Sequence, residues 1–190
     1  MKKIGLLGGT FDPPHSAHLV IAEAALEQCE LDEIWFIPTH TPPHKEREGM
    51  TPSTKRLNMI RLATEDHPQF HVSTIEVERQ GPSYTIDTVQ TFKRESPDAE
   101  FYFIIGGDMA DDLGTWKDIS ALRQLVTFVV TERPSYPSNP PFEDGIIRVK
   151  VPGLEISSSE LRRRVKQQIS IRYLTPDSVR TYIEENQLYE

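Results

Sequence analysis

The chain reads as an α/β protein built on a mostly parallel sheet with helices on both faces. Three observations carry that reading. Short apolar runs of strand length recur along the sequence, segments of helical composition or spacing separate almost every consecutive pair, and two of the runs end in glycine pairs followed by polar residues.

The elements follow in order. Ile4 to Leu7 is apolar and short enough for a buried strand, and Leu19 to Cys29 has helical composition, so the intervening GGTFDPPHSAH is a strand-to-helix turn. Such turns put backbone N–H groups and a helix N-terminus at the carboxyl edge of the sheet, where anions bind. EIWFIP (33–38) is a second buried strand, and THTPPHKEREGM (39–50) is a polar loop of a length that usually serves function. Thr51 or Ser53 is placed to cap the next helix, whose apolar face comprises Leu57, Met59, Ile60, Leu62 and Ala63 and which ends before His67-Pro68. FHVSTIEV (70–77) alternates as a strand does, RQGPSYT is a turn, and Ile86, Val89 and Phe92 recur at helical spacing. EFYFIIGGD (100–108) and LVTFVVTERP (125–134) are further strands. A surface loop rich in Pro, Ser and acid spans 135–145, IIRVKV (146–151) is the last strand, and helical patterns around 158–169 and 176–186 follow.

The 190 residues suit one domain over 1–190. Twenty-one Lys and Arg against 29 Asp and Glu leave a net charge of −8, which argues against general nucleic-acid binding but not against a small anion held by local cations. The lone Cys29 suits a reducing compartment and the role of a small core residue. Lys2 and Lys3 precede an apolar run too short for a signal peptide, and no segment is long enough to span a membrane, so the expected location is the cytoplasm. The oligomeric state stays open, a homodimer included. There is no G-x-x-x-x-G-K-[ST], and GLLGGTF is not G-x-G-x-x-G, which disfavours ordinary P-loop enzymes and classical dehydrogenases.

His15 and His18, three apart, can face one site from the start of a helix. With no Cys or Glu at ligand spacing they are a weak metal signal. As imidazolium or N–H donors they would neutralise phosphate charge, which fits a helix N-terminus better.

GGTFDPPHSAH resembles the first signature of the nucleotidylyltransferase superfamily, and ISSSELR (156–162) resembles the second, I-S-S-T-x-x-R. PTHTPPHK, GPSYTIDT, GGDMADDLGTWKDI and YLTPDSVRTYIEENQLY are similar to segments of the bacterial nicotinate-mononucleotide adenylyltransferases, so the resemblance covers nearly the whole chain. Ala17 stands where the first signature has Gly, and Ser159 where the second usually has Thr.

The resemblance implies a Rossmann-like nucleotidylyltransferase fold, with the last helices at the sheet's carboxyl side carrying ISSSELR. It also implies adenylyl transfer from ATP to nicotinate mononucleotide, giving nicotinate adenine dinucleotide and pyrophosphate in NAD biosynthesis. Gly8, Gly9, Thr10 and Phe11 would cradle ATP phosphate. His15 and His18 would donate near the α-phosphate, and Arg162, with Ser157, Ser158 and Ser159, would grip the β- and γ-phosphates. Mg²⁺ would neutralise the departing pyrophosphate without protein side-chain ligands. Ser83, Tyr84 and Thr85 would hold the nicotinate carboxylate and Trp116 would stack on the pyridine ring. Gly106 and Asp108 would meet the ribose, Arg133 a second anion, and His44 and Lys45 the mononucleotide phosphate. Two rivals remain: another adenylyl- or cytidylyltransferase of the superfamily, such as the pantetheine-phosphate enzyme, and a catalytically silent nucleotide-binding protein.

Overall fold

A computed structural model describes residues 1–40, 49–132 and 137–190. Its centre is a six-stranded sheet of order β3-β2-β1-β4-β5-β6, formed by β1 (Lys3–Gly9), β2 (Glu33–Pro38), β3 (Phe70–Val72), β4 (Glu100–Gly106), β5 (Val126–Glu132) and β6 (Ile146–Lys150). Every neighbouring pair is parallel, as the alternation of strands and helices predicts. The order reverses between β1 and β4, which opens a crevice at the carboxyl ends of those two strands. In open α/β sheets this is where ligands bind.

The helices are α1 (Ser16–Gln28), α2 (Ser53–Thr64), α3 (Ile75–Arg79), α4 (Thr85–Glu95), α5 (Gly107–Asp111), α6 (Ile119–Leu125), α7 (Ser158–Lys166) and α8 (Asp177–Glu185). Strand alternation sorts them into two layers. Leu7, Phe36, Ile104 and Val129 face a core completed by α1, α2, α7 and α8, while Leu6, Ile37, Phe103 and Phe128 face a second core completed by α4, α5 and α6. At Gly5 the crossing is too tight for a side chain, because a Cβ there would lie 2.5 Å from Ile34 Cδ1. Glycine at that position lets the side chains of Ile34, Leu31 and Ile104 fill the space over β1.

Two sequence expectations need correction. FHVSTIEV is not one strand: β3 ends at Val72, Ser73 N–H makes a last bond to Phe36 O at 2.8 Å, and α3 begins at Ile75. Ser73-Thr74 followed by Glu76 and Glu78 is a helix start, and that signal outweighs the alternation. Neither Thr51 nor Ser53 caps α2; Pro52 occupies the cap position, while Thr51 is buried and bonded elsewhere. After β4 the chain folds into α5, a 3₁₀ turn at Leu113–Thr115, and α6.

Candidate active site

At the carboxyl end of β1 the chain enters a loop whose carbonyls are claimed from three directions. Thr10 O accepts from Arg56 Nη1 at 2.8 Å, Asp12 O from Arg162 Nη1 at 2.7 Å, Pro13 O from Ser158 Oγ at 2.7 Å and Pro14 O from Thr175 Oγ1 at 2.8 Å. A trans peptide points its N–H opposite to its C=O, so anchoring Thr10 O turns the Phe11 N–H away from Arg56. The two prolines bring no N–H to satisfy, which suits a segment held by its carbonyls. Phe11 adopts a left-handed backbone, φ 49°, and its ring folds back into the core against Phe36 and Gly9. The side chain of Phe11 is therefore core, and only its backbone is available to a phosphate. A Cβ at Gly9 would sit 3.2 Å from that ring, so a side chain there would require the phenyl to shift by a few tenths of an ångström.

His15 is the N-cap residue of α1 and is 5% exposed; His18 lies one turn on. Their rings stack with centroids 3.7 Å apart, and the edge of the pair meets Phe11 at 5.0 Å from His18. The His15 N–H donates to His18 Nδ1 at 3.1 Å. In the neutral ring this leaves the proton on Nε2, so the tautomer is set by the start of the helix. Burial first, and the neighbouring His15 second, hold the His18 pKa well below its ordinary 6.5. Of the two forms the sequence left open for His18, imidazolium or neutral N–H donor, burial against the stacked His15 ring selects the neutral one. Ala17, between them, is buried in the first turn.

The second signature meets the first here. Ser157 caps α7, its side chain accepting from the Glu160 N–H at 3.2 Å, which occupies one of the hydroxyls expected for phosphate. Ser158 is tied to Pro13, and Ser159 Oγ accepts from Arg162 Nη2 at 3.0 Å. Arg162 thus lies between the α7 N-terminus and the β1–α1 loop, half-buried rather than on a solvated face. Arg163 and Arg164 instead pair with Glu160, whose carboxyl falls to about 2 through those guanidinium hydrogen bonds.

Across the crevice, α4 begins at Thr85 with Tyr84 as its extended cap residue. Ser83 is buried and accepts from the His40 N–H at 3.2 Å. The ammonium of Lys117 lies 4.3 Å from the Tyr84 ring centroid and 3.4 Å from Asp87 Oδ2, which ties the segment bearing Trp116 to the start of α4. Trp116 is half-buried, edge-on to Phe103 at 5.7 Å and to Phe128 at 6.2 Å, so it is at once the rim of the core and a ring open to a ligand. Gly106 caps α5, and a Cβ there would lie 2.8 Å from Asp108 Oδ1. Asp108 is exposed in the first turn of α5 rather than at the end of a strand. His44, Lys45 and Arg133 lie outside the described residues.

Three residues that organise the site escaped the sequence reading. Arg56 is fully buried, and its guanidinium also donates to Thr51 O at 2.9 Å and His40 O at 3.2 Å, so it joins the β1 loop to both flanks of the 41–48 segment. A buried arginine satisfying backbone carbonyls looks, in sequence, like any arginine on an amphipathic helix. Glu76, 6% exposed, accepts from Thr88 Oγ1 at 2.7 Å, and burial raises its pKa despite that bond and the nearby Arg79. Its S/T-x-x-E position in α3 was the available clue. The third is Tyr189, bonded to Asp12 at 2.5 Å. Among the described residues no group of three or more His, Cys, Asp or Glu is gathered to hold a metal, and no helix is long and apolar enough to cross a membrane.

The family model described as cytidylyltransferase-like matches residues 6–164. The chain is 51% identical to a probable nicotinate-nucleotide adenylyltransferase of Geobacillus thermodenitrificans, over 100% of this chain and 87% of that protein. It is 47% identical to the probable nicotinate-nucleotide adenylyltransferase of Bacillus licheniformis, over the full length of both. In fold it is similar to the Plasmodium falciparum nicotinic acid mononucleotide adenylyltransferase solved in complex with NaAD, with a TM-score of 0.82 at 22% identity, covering 100% of this chain and 98% of that one.

Proposed function

Because the chain belongs to the cytidylyltransferase-like family, and within it to the nicotinate-nucleotide adenylyltransferases, we propose that it transfers AMP from ATP to nicotinate mononucleotide, forming nicotinate adenine dinucleotide and pyrophosphate in NAD biosynthesis. The observation that carries this reading is the convergence, at the β1/β4 reversal, of a double-signature phosphate site on one side and the α4 N-terminus with Trp116 on the other. One site takes a triphosphate and the other takes a ring that bears a carboxylate.

In the reaction a phosphate oxygen of the mononucleotide attacks the α-phosphorus of ATP. The new P–O bond forms as the bond to the β-phosphate oxygen breaks, and the electron pair leaves with pyrophosphate. The nucleophile is already ionised, so no side chain needs to remove a proton, and the protein's work is placement and charge stabilisation. The Nε2–H of His18 and the ring of His15 serve the α-phosphate oxygens, with backbone N–H groups of Gly8 to Phe11 beneath them. Arg162 and the α7 N-terminus, opened by Ser157 to Ser159, take the β- and γ-phosphates. ATP would enter as its magnesium complex, with the ion neutralising the departing pyrophosphate and no protein side chain assigned to it.

On the acceptor side, the N–H groups at Ser83 to Thr85 meet the nicotinate carboxylate and the exposed side of Trp116 meets the ring. Asp108, beside the bare backbone of Gly106, takes ribose hydroxyls. His44, Lys45 and Arg133 are the cations assigned to the mononucleotide phosphate. The domain so formed spans 1–190 and works in the cytoplasm.

The test is pyrophosphate release with ATP or CTP against a panel of phosphate acceptors. The proposal expects turnover with ATP and nicotinate mononucleotide. Turnover only with pantetheine phosphate, or only with CTP, would move the chain to another branch of the family, and no turnover with any pair would make it a silent nucleotide binder.

A further inference from the structure

Asp12 sits in the β1–α1 loop with its polar atoms engaged from three separate parts of the chain. Its Oδ1 accepts from the Tyr189 hydroxyl at 2.5 Å, its Oδ2 from the Thr51 N–H at 3.4 Å, and its carbonyl from Arg162 at 2.7 Å. Tyr189 lies 177 residues away in sequence and reaches the loop by an unusual path. Gln187 and Tyr189 both adopt left-handed backbones, φ 50° and 69°, on either side of the buried Leu188. Residues with a Cβ adopt that conformation reluctantly, so the turn persists because its surroundings hold it. The Tyr189 ring packs on the core shared by α1, α2 and α8, which leaves its hydroxyl directed at Asp12.

We propose that the Tyr189 hydroxyl is a positioning group for Arg162: by fixing Asp12 it fixes the carbonyl on which the guanidinium rests, and so sets where that guanidinium meets the β- and γ-phosphates. The proposal rests on the reading of Arg162 as the triphosphate grip. Thr51, whose carbonyl is held by buried Arg56, meets the other carboxylate oxygen through its N–H, so Asp12 is bonded at both oxygens and the phenol supplies the shorter of the two contacts. Burial and the Asp12 carboxylate push the phenol's pKa up, so it remains a donor. A phenylalanine here keeps the ring in place and removes the hydroxyl with its bond to Asp12 and its weaker contacts to Thr51 and Met59 Sδ.

The test is calorimetric binding of two probes, an ATP analogue with a non-cleavable α,β bridge and AMP, to wild type, Tyr189→Phe, Arg162→Ala and the double variant. Tyr189→Phe should weaken the analogue by about 10-fold, the scale of one charge-assisted hydrogen bond, and change AMP by less than about twofold. In the Arg162→Ala background the second substitution should change neither. Leu188→Ala, which loosens the same segment but keeps the hydroxyl, should lower the melting temperature without altering the ratio of the two affinities. Equal weakening of both probes by Tyr189→Phe, or a full additional loss in the double variant, would overturn the positioning role while leaving Arg162 its own. An Arg162→Ala protein that binds the analogue normally would overturn the phosphate grip and this proposal together.

Discussion

Replacing His18 by alanine separates two jobs of one ring, a proposed catalytic one and a structural one. Its Nε2–H is the donor assigned to the α-phosphate, and its Nδ1 receives the His15 N–H at 3.1 Å. Loss of one preorganised donor costs on the order of 100- to 1,000-fold in turnover. Leaving the His15 N–H without its acceptor costs about 1 to 3 kcal/mol of stability, or roughly 2–4 °C of melting temperature per kcal/mol in a chain of this size. The pH dependence has a definite sign. The folded pKa lies below the unfolded 6.5, so the stability linked to this ring is fully present above pH 6.5 and is lost as pH falls from there toward the folded value. His18→Ala should remove that part of the acid slope, and wild-type turnover should not fall between pH 6.5 and 8 through His18 deprotonation, since the ring is already neutral. Steady-state pyrophosphate release, paired with melts from pH 5 to 8, reads all of this. A folded variant with near-normal turnover would refute the donor role, and an unchanged slope below pH 6.5 would refute the burial argument.

Arg56→Lys leaves a single ammonium where a planar fork bonds Thr10, Thr51 and His40 carbonyls. Losing two of those three bonds should cost about 3 kcal/mol or more, roughly 6–12 °C in a thermal melt, and a loss under about 1 kcal/mol would show that lysine satisfies the carbonyls as well. Glu76→Gln keeps the acceptor for Thr88 and removes a charge that burial opposes. The folded pKa of Glu76 is raised, so its stabilising contribution is present below the ordinary 4.5 and is lost as pH rises through the folded value. The variant should therefore gain on wild type between melts at pH 5 and pH 8, and an equal difference at both would contradict the raised pKa.

The sequence reading reached the sheet because buried parallel strands are continuous apolar runs, and EIWFIP matched β2 residue for residue. It singled out His15, His18 and Arg162 because both signatures are local and resemble those of a known superfamily, and the structure brings the two signatures together at the β1–α1 loop. What it missed depends on contacts across long sequence separations. Nothing near Arg56 announces that its acceptors are Thr10, His40 and Thr51, and nothing near Tyr189 announces Asp12. The break between β3 and α3 was legible in Ser73-Thr74 and Glu76, but the β-branched alternation around it masked the helix start. The charge state of His18 is a matter of burial, which only the packed rings of Phe11 and His15 reveal.

The acceptor side of the site is where fold and function meet, so the most direct measurement is kcat/KM for nicotinate mononucleotide against nicotinamide mononucleotide, with ATP saturating. A carboxylate gains one or two charge-assisted bonds and the helix dipole at Ser83 to Thr85, whereas a carboxamide presents an NH₂ that cannot accept them. The account predicts a preference for the nicotinate form of roughly 10-fold or more. Equal values for the two mononucleotides, or a preference for the amide, would contradict it.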